Sequence, residues 1–241
     1  MTTVYAPISW IKLLVITLFF IYPLTGCNDK PQAKKDVVVA DKELTKPAES
    51  SMNEVEKTKK KSILFFGDSL TAGFGLDEED SFPSLIQNRI DSLGLDYQVI
   101  NGGLSGETSA GGKGRIDWVL RSPIDVFILE LGANDVLRGL DLKETDKNLR
   151  AILDAVQAKY PDISMIVAGM QAPPNMGSDY TTQFENIFKS LSQDYQAGLI
   201  PFLLDGVAGN PELNLPDAKH PKAIGQHIVR DNVWKVLQGY L

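Results

Sequence analysis

The sequence is short of the residues that cross-link and ligate. One cysteine, Cys27, and two histidines, His220 and His227, serve all 241 residues. A lone cysteine has no partner in the chain for a disulfide, and no carboxylate and histidine cluster stands at ligand spacing. No metal site and no other cofactor is expected. Basic residues are also in deficit, with 24 Lys and Arg against 31 Asp and Glu. From residue 61 to 241 the balance is 15 against 24. A domain so acidic repels nucleic acid phosphates, which removes that partner class, and no obligate protein partner is implied. A phosphate loop is missing too: the segment from Gly106 to Gly114 has Glu107 where a P-loop needs glycine, and Gly114 where it needs Ser or Thr.

Aromatic residues are absent between Asn28 and Lys60, where Lys, Glu, Asp, Ser and Pro dominate. Val37-Val38-Val39 is too small to build a core, so the stretch reads as a disordered tether. As a flexible coil it has an r.m.s. reach on the order of 30 Å. Ahead of it, Lys12 precedes an apolar run from Leu13 to Tyr22 that leads into Leu24-Thr25-Gly26-Cys27. This resembles a bacterial lipoprotein signal, cut before the cysteine, whose sulfur then receives a lipid. The rival readings are an ordinary secretory signal or an uncleaved anchor, though the run is shorter than the roughly 20 residues a spanning helix needs. The expected organisation is therefore a signal peptide over 1–26, a lipidated Cys27 with its tether over 27–60, and one globular domain over 61–241. The protein is expected to be exported and held on a membrane facing the periplasm. Asn28 after the cysteine favours the outer membrane in a Gram-negative cell.

Within the domain, strand-like runs alternate with helical patterns, the signature of a parallel sheet covered on both faces. Strands are expected at Ser62 to Phe66, Tyr97 to Asn101, Val126 to Leu131, Ser164 to Ala168 and Pro201 to Leu204. Helices are expected near Ser81 to Leu93, Gly114 to Leu120, Thr145 to Lys159, Thr181 to Tyr195 and Pro221 to Gln238. Leu149, Ile152, Leu153 and Val156 fall on one face of the third of these helices. Right-handed crossovers then give a three-layer α/β/α sandwich on a parallel five-stranded sheet.

The first strand ends in Gly67-Asp68-Ser69, after which the chain turns through small residues. A hydroxyl is thereby set at the carboxyl end of a strand, where open α/β sheets hold reactive groups. Serine needs a base, and the candidates are few. His220 lies in Asp217-Ala218-Lys219-His220-Pro221. Pro221 suits the start of the last helix, which puts His220 on the loop before it with Asp217 in reach of its other ring nitrogen. His227 reads as a half-buried packing residue rather than a second base.

Four blocks in order, Gly67-Asp68-Ser69-Leu70, Asn101-Gly102-Gly103-Leu104-Ser105-Gly106-Glu107-Thr108, Glu130-Leu131-Gly132-Ala133-Asn134-Asp135 and Asp217-x-x-His220, resemble those of the SGNH (GDSL) hydrolases. The chain is similar to the bacterial periplasmic branch with arylesterase, acyl-thioesterase and lysophospholipase activities. The likeness covers roughly 62 to 241. It implies a flavodoxin-like strand order and a triad of Ser69, Asp217 and His220. It also implies an oxyanion hole built from the backbone N–H groups of Ser69 and Gly106 and the side-chain amide of Asn134. Gly103 is an alternative donor. Asp68 and Asp135 read as structural acids that hold loop backbone.

Specificity is expected from the loops Phe74 to Leu76, Val136 to Leu140, Gln171 to Tyr180 and Gly206 to Leu215. Phe74, Leu104, Leu137, Met176 and Tyr180 are the candidate substrate-binding residues, suited to an acyl chain or aromatic ester. The expected function is a serine esterase for acyl or aryl esters, thioesters or lysophospholipids. A carbohydrate O-acetyl esterase and a non-catalytic binding lipoprotein on the same fold are the alternatives.

Overall fold

The computed structural model describes residues 60–241. The expected leader, Cys27 and all but the last residue of the tether lie outside them. Five parallel strands run β1 (Lys61–Gly67), β2 (Tyr97–Asn101), β3 (Val126–Glu130), β4 (Ser164–Ala168) and β5 (Gly198–Ile200), in the spatial order β2-β1-β3-β4-β5. The helices are α1 (Ser69–Ala72), α2 (Phe82–Ser92), α3 (Ser109–Val119), α4 (Ala133–Leu137), α5 (Leu142–Lys159), α6 (Ser178–Asp194) and α7 (Ala223–Leu237). The chain steps one way from β1 to β2 and the other way thereafter. Right-handed crossovers therefore put α2 on one face and α3, α5 and α6 on the other, and α7 packs beside α2.

Because both faces are covered, the central strands need no polar alternation. Ile63, Leu64, Phe65 and Phe66 of β1 and Val126 to Leu129 of β3 are all buried. Phe65 meets Phe82 of α2 edge-on at 5.4 Å, while Phe66 packs against Phe127 at 5.8 Å. Leu149, Ile152, Leu153 and Val156 of α5 are buried as their spacing requires, each contributing about 1.5–3 kcal/mol of apolar burial. Among the described residues no helix is long and apolar enough to cross a membrane.

The short helices α1 and α4 are unexpected, α5 and α6 each start three residues early, and two elements differ more. The fifth strand is Gly198–Ile200, not Pro201 to Leu204, and pairs Gly198 with Ile166 and Ile200 with Ala168. Pro201 has no N–H to extend a ladder, and Leu203 and Leu204 turn inward to the core instead. The helix expected from Gly114 starts five residues earlier, at Ser109. The Thr108 side chain accepts from the Gly111 N–H and caps it. Helix α3 lies so close to the sheet that a Cβ on Gly112 would stand 2.4 Å from Leu131 Cδ1.

The strand order reverses direction between β1 and β3. That is the switch point where the carboxyl ends of an open sheet leave a crevice.

Candidate active site

Ser69 stands at the first position of α1, just past the end of β1. Asp68 caps that helix by accepting the Leu70 N–H at 3.0 Å, which fixes the turn that presents Ser69. A Cβ on Gly67 would approach Thr71 Oγ1 and Glu130 closely, so the turn requires glycine there.

His220 arrives from the far end of the chain. Its Nε2 is 2.8 Å from Ser69 Oγ, and its Nδ1 is 2.6 Å from Asp217 Oδ2. An ionised carboxylate only accepts, so Nδ1 donates and Nε2 is left to accept the serine proton. Asp217 Oδ1 also accepts the backbone N–H groups of Lys219 and His220, and Ala218 between them adopts a left-handed φ of 58°. Strain of this kind is tolerated where the surroundings fix the turn. Desolvation raises the Asp217 pKa, but the His220 side chain and those two amides outweigh it and hold it at about 2. Asp217 therefore stays anionic throughout the neutral range. The Phe74 ring packs on the imidazole at 4.6 Å between centroids and limits its swing.

Opposite this relay, the loop after β2 and the helix after β3 bring Gly106 and Asn134 to the same crevice. Among the described residues neither the Ser69 nor the Gly106 backbone N–H has an acceptor. Gly106 has φ 80°, and Arg138 Nη2 donates to its carbonyl at 2.6 Å. Gly103 is differently placed. Its N–H donates to Asn101 Oδ1, and a Cβ there would run into the Ala72 backbone at 2.3 Å. Asn134 Nδ2 donates to Asp68 Oδ2 at 2.9 Å and to the Glu107 carbonyl at 3.0 Å.

Glu107 is anchored in turn by Arg115. The guanidinium forks onto the Glu107 carboxylate, donates to the Gly102 carbonyl at 2.7 Å, reaches the Gly67 carbonyl at 3.4 Å and lies over the Phe66 ring at 4.0 Å. One cation thus clamps the end of β1 to the loop that carries Gly106. Asp135 accepts from the N–H and hydroxyl of Ser109 and from the Thr145 hydroxyl, tying α4 to α3 and α5. Both acids beside functional positions therefore hold structure, as expected of them. His227 is exposed on α7 beside Arg230 Nη1, rather than half-buried, and takes no part in the crevice.

The cavity over Ser69 has a volume of about 530 Å³. Phe74 and Leu137 line it, together with Val136, Met170, Ala172, Pro173, Pro174, Phe202 and Leu204. Leu104, Met176 and Tyr180 do not. Leu104 is exposed outside the cavity, and Met176 and Tyr180 pack against the core. Met170, Phe202 and Leu204 were missed because each follows a strand as an apolar residue that reads as core. The signal available was their position just past β4 and β5, where an open sheet places its crevice.

The family model described as GDSL-like Lipase/Acylhydrolase matches residues 65–228, which span every block around this crevice. The chain belongs to this family. It is 34% identical over 181 residues to esterase TesA of Pseudomonas aeruginosa, covering 75% of this chain and 89% of that protein. It is also 34% identical over 180 residues to an arylesterase of Vibrio mimicus, covering 74% and 89%. Among solved structures, esterase EstA from Pseudoalteromonas sp., inhibited by monoethylphosphonate, superposes with a TM-score of 0.71 at 33% identity over 75% of this chain and 98% of that one. As a member of the GDSL family the protein is an ester hydrolase, on a five-stranded parallel sheet flanked by helices.

Proposed function

We propose that the protein hydrolyses acyl and aryl carboxylic esters through an acyl-enzyme on Ser69. The observation that carries this reading is the relay Ser69 Oγ, His220 and Asp217, at 2.8 and 2.6 Å, opening into a cavity walled largely by apolar side chains. His220 Nε2 takes the hydroxyl proton as Ser69 Oγ attacks the substrate carbonyl, and Asp217 balances the imidazolium that forms. The Ser69 and Gly106 N–H groups and the Asn134 amide receive the negative charge on the carbonyl oxygen. The imidazolium then protonates the leaving alcohol. Water, activated by the same histidine, releases the acid.

The size and lining of the cavity support an acyl chain or aromatic group over a bare acetyl group. This disfavours a carbohydrate O-acetyl esterase. The names of the relatives, an esterase and an arylesterase, point the same way. On a series of nitrophenyl esters and matching thioesters, kcat/KM is expected to rise from acetyl to octanoyl by about tenfold or more, since each buried methylene adds up to about 0.8 kcal/mol. A steep preference for acetyl would overturn the acyl reading.

Export and lipid attachment at Cys27 belong to the same proposal and rest on the Leu24-Thr25-Gly26-Cys27 pattern. Cys27→Ser in the full chain is expected to abolish incorporation of a labelled fatty acid and to deplete the membrane fraction of mature enzyme. Full labelling of the variant would remove the anchor.

A further inference from the structure

Beneath the nucleophile lies a second carboxyl that the hydrolytic relay does not use. Glu130, the last residue of β3, is 0% exposed. Its Oε2 accepts the Asp68 N–H at 3.1 Å and the Thr71 hydroxyl at 2.7 Å, while Oε1 is buried with no partner. Among the described residues no cation answers it. Arg115, which reaches the neighbouring Gly67 carbonyl, gives its remaining contacts to Glu107 and Gly102.

Asp68 is also buried, yet both of its oxygens are served. Oδ1 accepts from the Leu70 N–H, and Oδ2 from Asn134 Nδ2. It lines the same crevice as His220, and its own backbone N–H ties it to Glu130. Two neighbouring carboxyls in a buried setting repel when both are ionised, which favours a proton on one of them. Asp68, with two donors and an imidazole before it, is the better anion. Glu130, with one bare oxygen, is the better acid, because a buried anionic oxygen left unpaired is costly and a protonated one is less so.

We propose that Glu130 is held protonated, with its proton on Oε1, making Glu130 a positioning residue for the oxyanion hole. The proposal rests on the reading of Ser69 as nucleophile and deepens it. Through the Asp68 N–H, Glu130 fixes the peptide just before the one that carries the Ser69 N–H. By keeping Asp68 anionic it also fixes the Asn134 amide. An ionised Glu130 would set two buried negative charges side by side and push Asp68 off both contacts. The charged or titratable groups that face this pair are His220 from the loop before α7, with Arg115 of α3 and Glu107 beyond the Gly67 and Asn134 contacts.

Burial is the largest cause that raises both groups, Asp68 to about 6, and the Asp68 charge lifts Glu130 further above the usual carboxylate range. A carboxyl whose pKa is higher folded than unfolded binds more protons in the folded state between the two values. Stability therefore falls as pH rises from about 4.3, the unfolded value for glutamate, and levels off above the folded value.

The test compares wild type, Glu130→Gln and Glu130→Met as full-length proteins. Glutamine keeps an acceptor for Asp68 N–H and Thr71 and supplies an N–H donor where the acid had O–H. Its kcat at pH 8 should stay within about threefold of wild type, and its stability should lose Glu130's share of the decline above about pH 4, leaving only that of Asp68, which ends near pH 6. Glu130→Met, lacking both functions, should lose up to about 100-fold in kcat with KM little changed, the mark of an interaction made in the transition state. Infrared difference spectra of wild type against Glu130→Gln at pH 8 should show the carbonyl stretch of a protonated carboxylic acid. If the variants do not fold, carbon-13 glutamate labelling of wild type decides: one glutamate carboxyl should remain protonated at pH 8. Absence of that protonated group, or a loss in Glu130→Gln as deep as in Glu130→Met, would overturn the proposal. A wild type that carries the proton but neither turns over esters nor reacts with a fluorophosphonate would instead strike the Ser69 reading and leave Glu130 as assigned.

Discussion

Ser69→Ala is expected to lower kcat/KM on a nitrophenyl ester by at least about 10³-fold, with circular dichroism and thermal unfolding unchanged. The size follows from the geometry. Ser69 Oγ is the atom that His220 Nε2 faces at 2.8 Å, so its removal leaves the base with no nucleophile to deprotonate. Ser69 is buried at the head of α1, but the cap that holds this helix comes from Asp68, so the turn should survive the loss of one hydroxyl. Reaction with a fluorophosphonate should vanish in parallel. A variant that retained a tenth of wild-type turnover would place the chemistry elsewhere.

Asn134→Ala should cost about 10²–10³ in kcat, the usual price of one oxyanion donor, with a smaller change in KM. Its position makes the experiment more than a routine deletion. Both Nδ2 hydrogens are already engaged, one by Asp68 Oδ2 and one by the Glu107 carbonyl. The amide is thus held ready rather than free, and the developing oxyanion must draw one of these hydrogens away or share it. Asn134→Asp should be at least as damaging, since it replaces the donor with an acceptor and adds a negative charge beside Asp68. If Asn134→Ala kept full kcat, the two backbone N–H groups of Ser69 and Gly106 would be the whole of the hole.

The residues of the proposed reacting centre are legible because each sits on a break in a regular pattern. Ser69 ends an apolar strand, Asn134 follows another, Gly106 lies in a run of small residues, and His220 precedes a helix-starting proline. Chemistry placed at strand ends leaves a mark on the one-dimensional chain. The cavity wall leaves none. Met170, Ala172, Phe202 and Leu204 are apolar residues beside apolar strands, and only the sheet order shows that β4 and β5 open onto the crevice that begins between β1 and β3. Met176 and Tyr180 were plausible for the opposite reason: they are large apolar or aromatic residues in a loop region, but they turn onto the core. The shift of β5 has a similar cause. Pro201-Phe202-Leu203-Leu204 is the more apolar run, yet Gly198-Leu199-Ile200 can offer every N–H to its neighbour. The Arg115 clamp on Glu107 was invisible as well, because a single arginine in a glycine-rich helix carries no spacing that points to a partner eight residues back.

The two halves of the relay are 151 residues apart in the chain. A ribosome releases Ser69, the proposed nucleophile, long before it releases the imidazole, and the earlier strands of the domain can assemble first. Until α7 docks and carries the preceding loop into place, the newborn polypeptide has an ordinary alcohol at position 69. On the proposed mechanism, reactivity is thereby switched on only by completion of the fold.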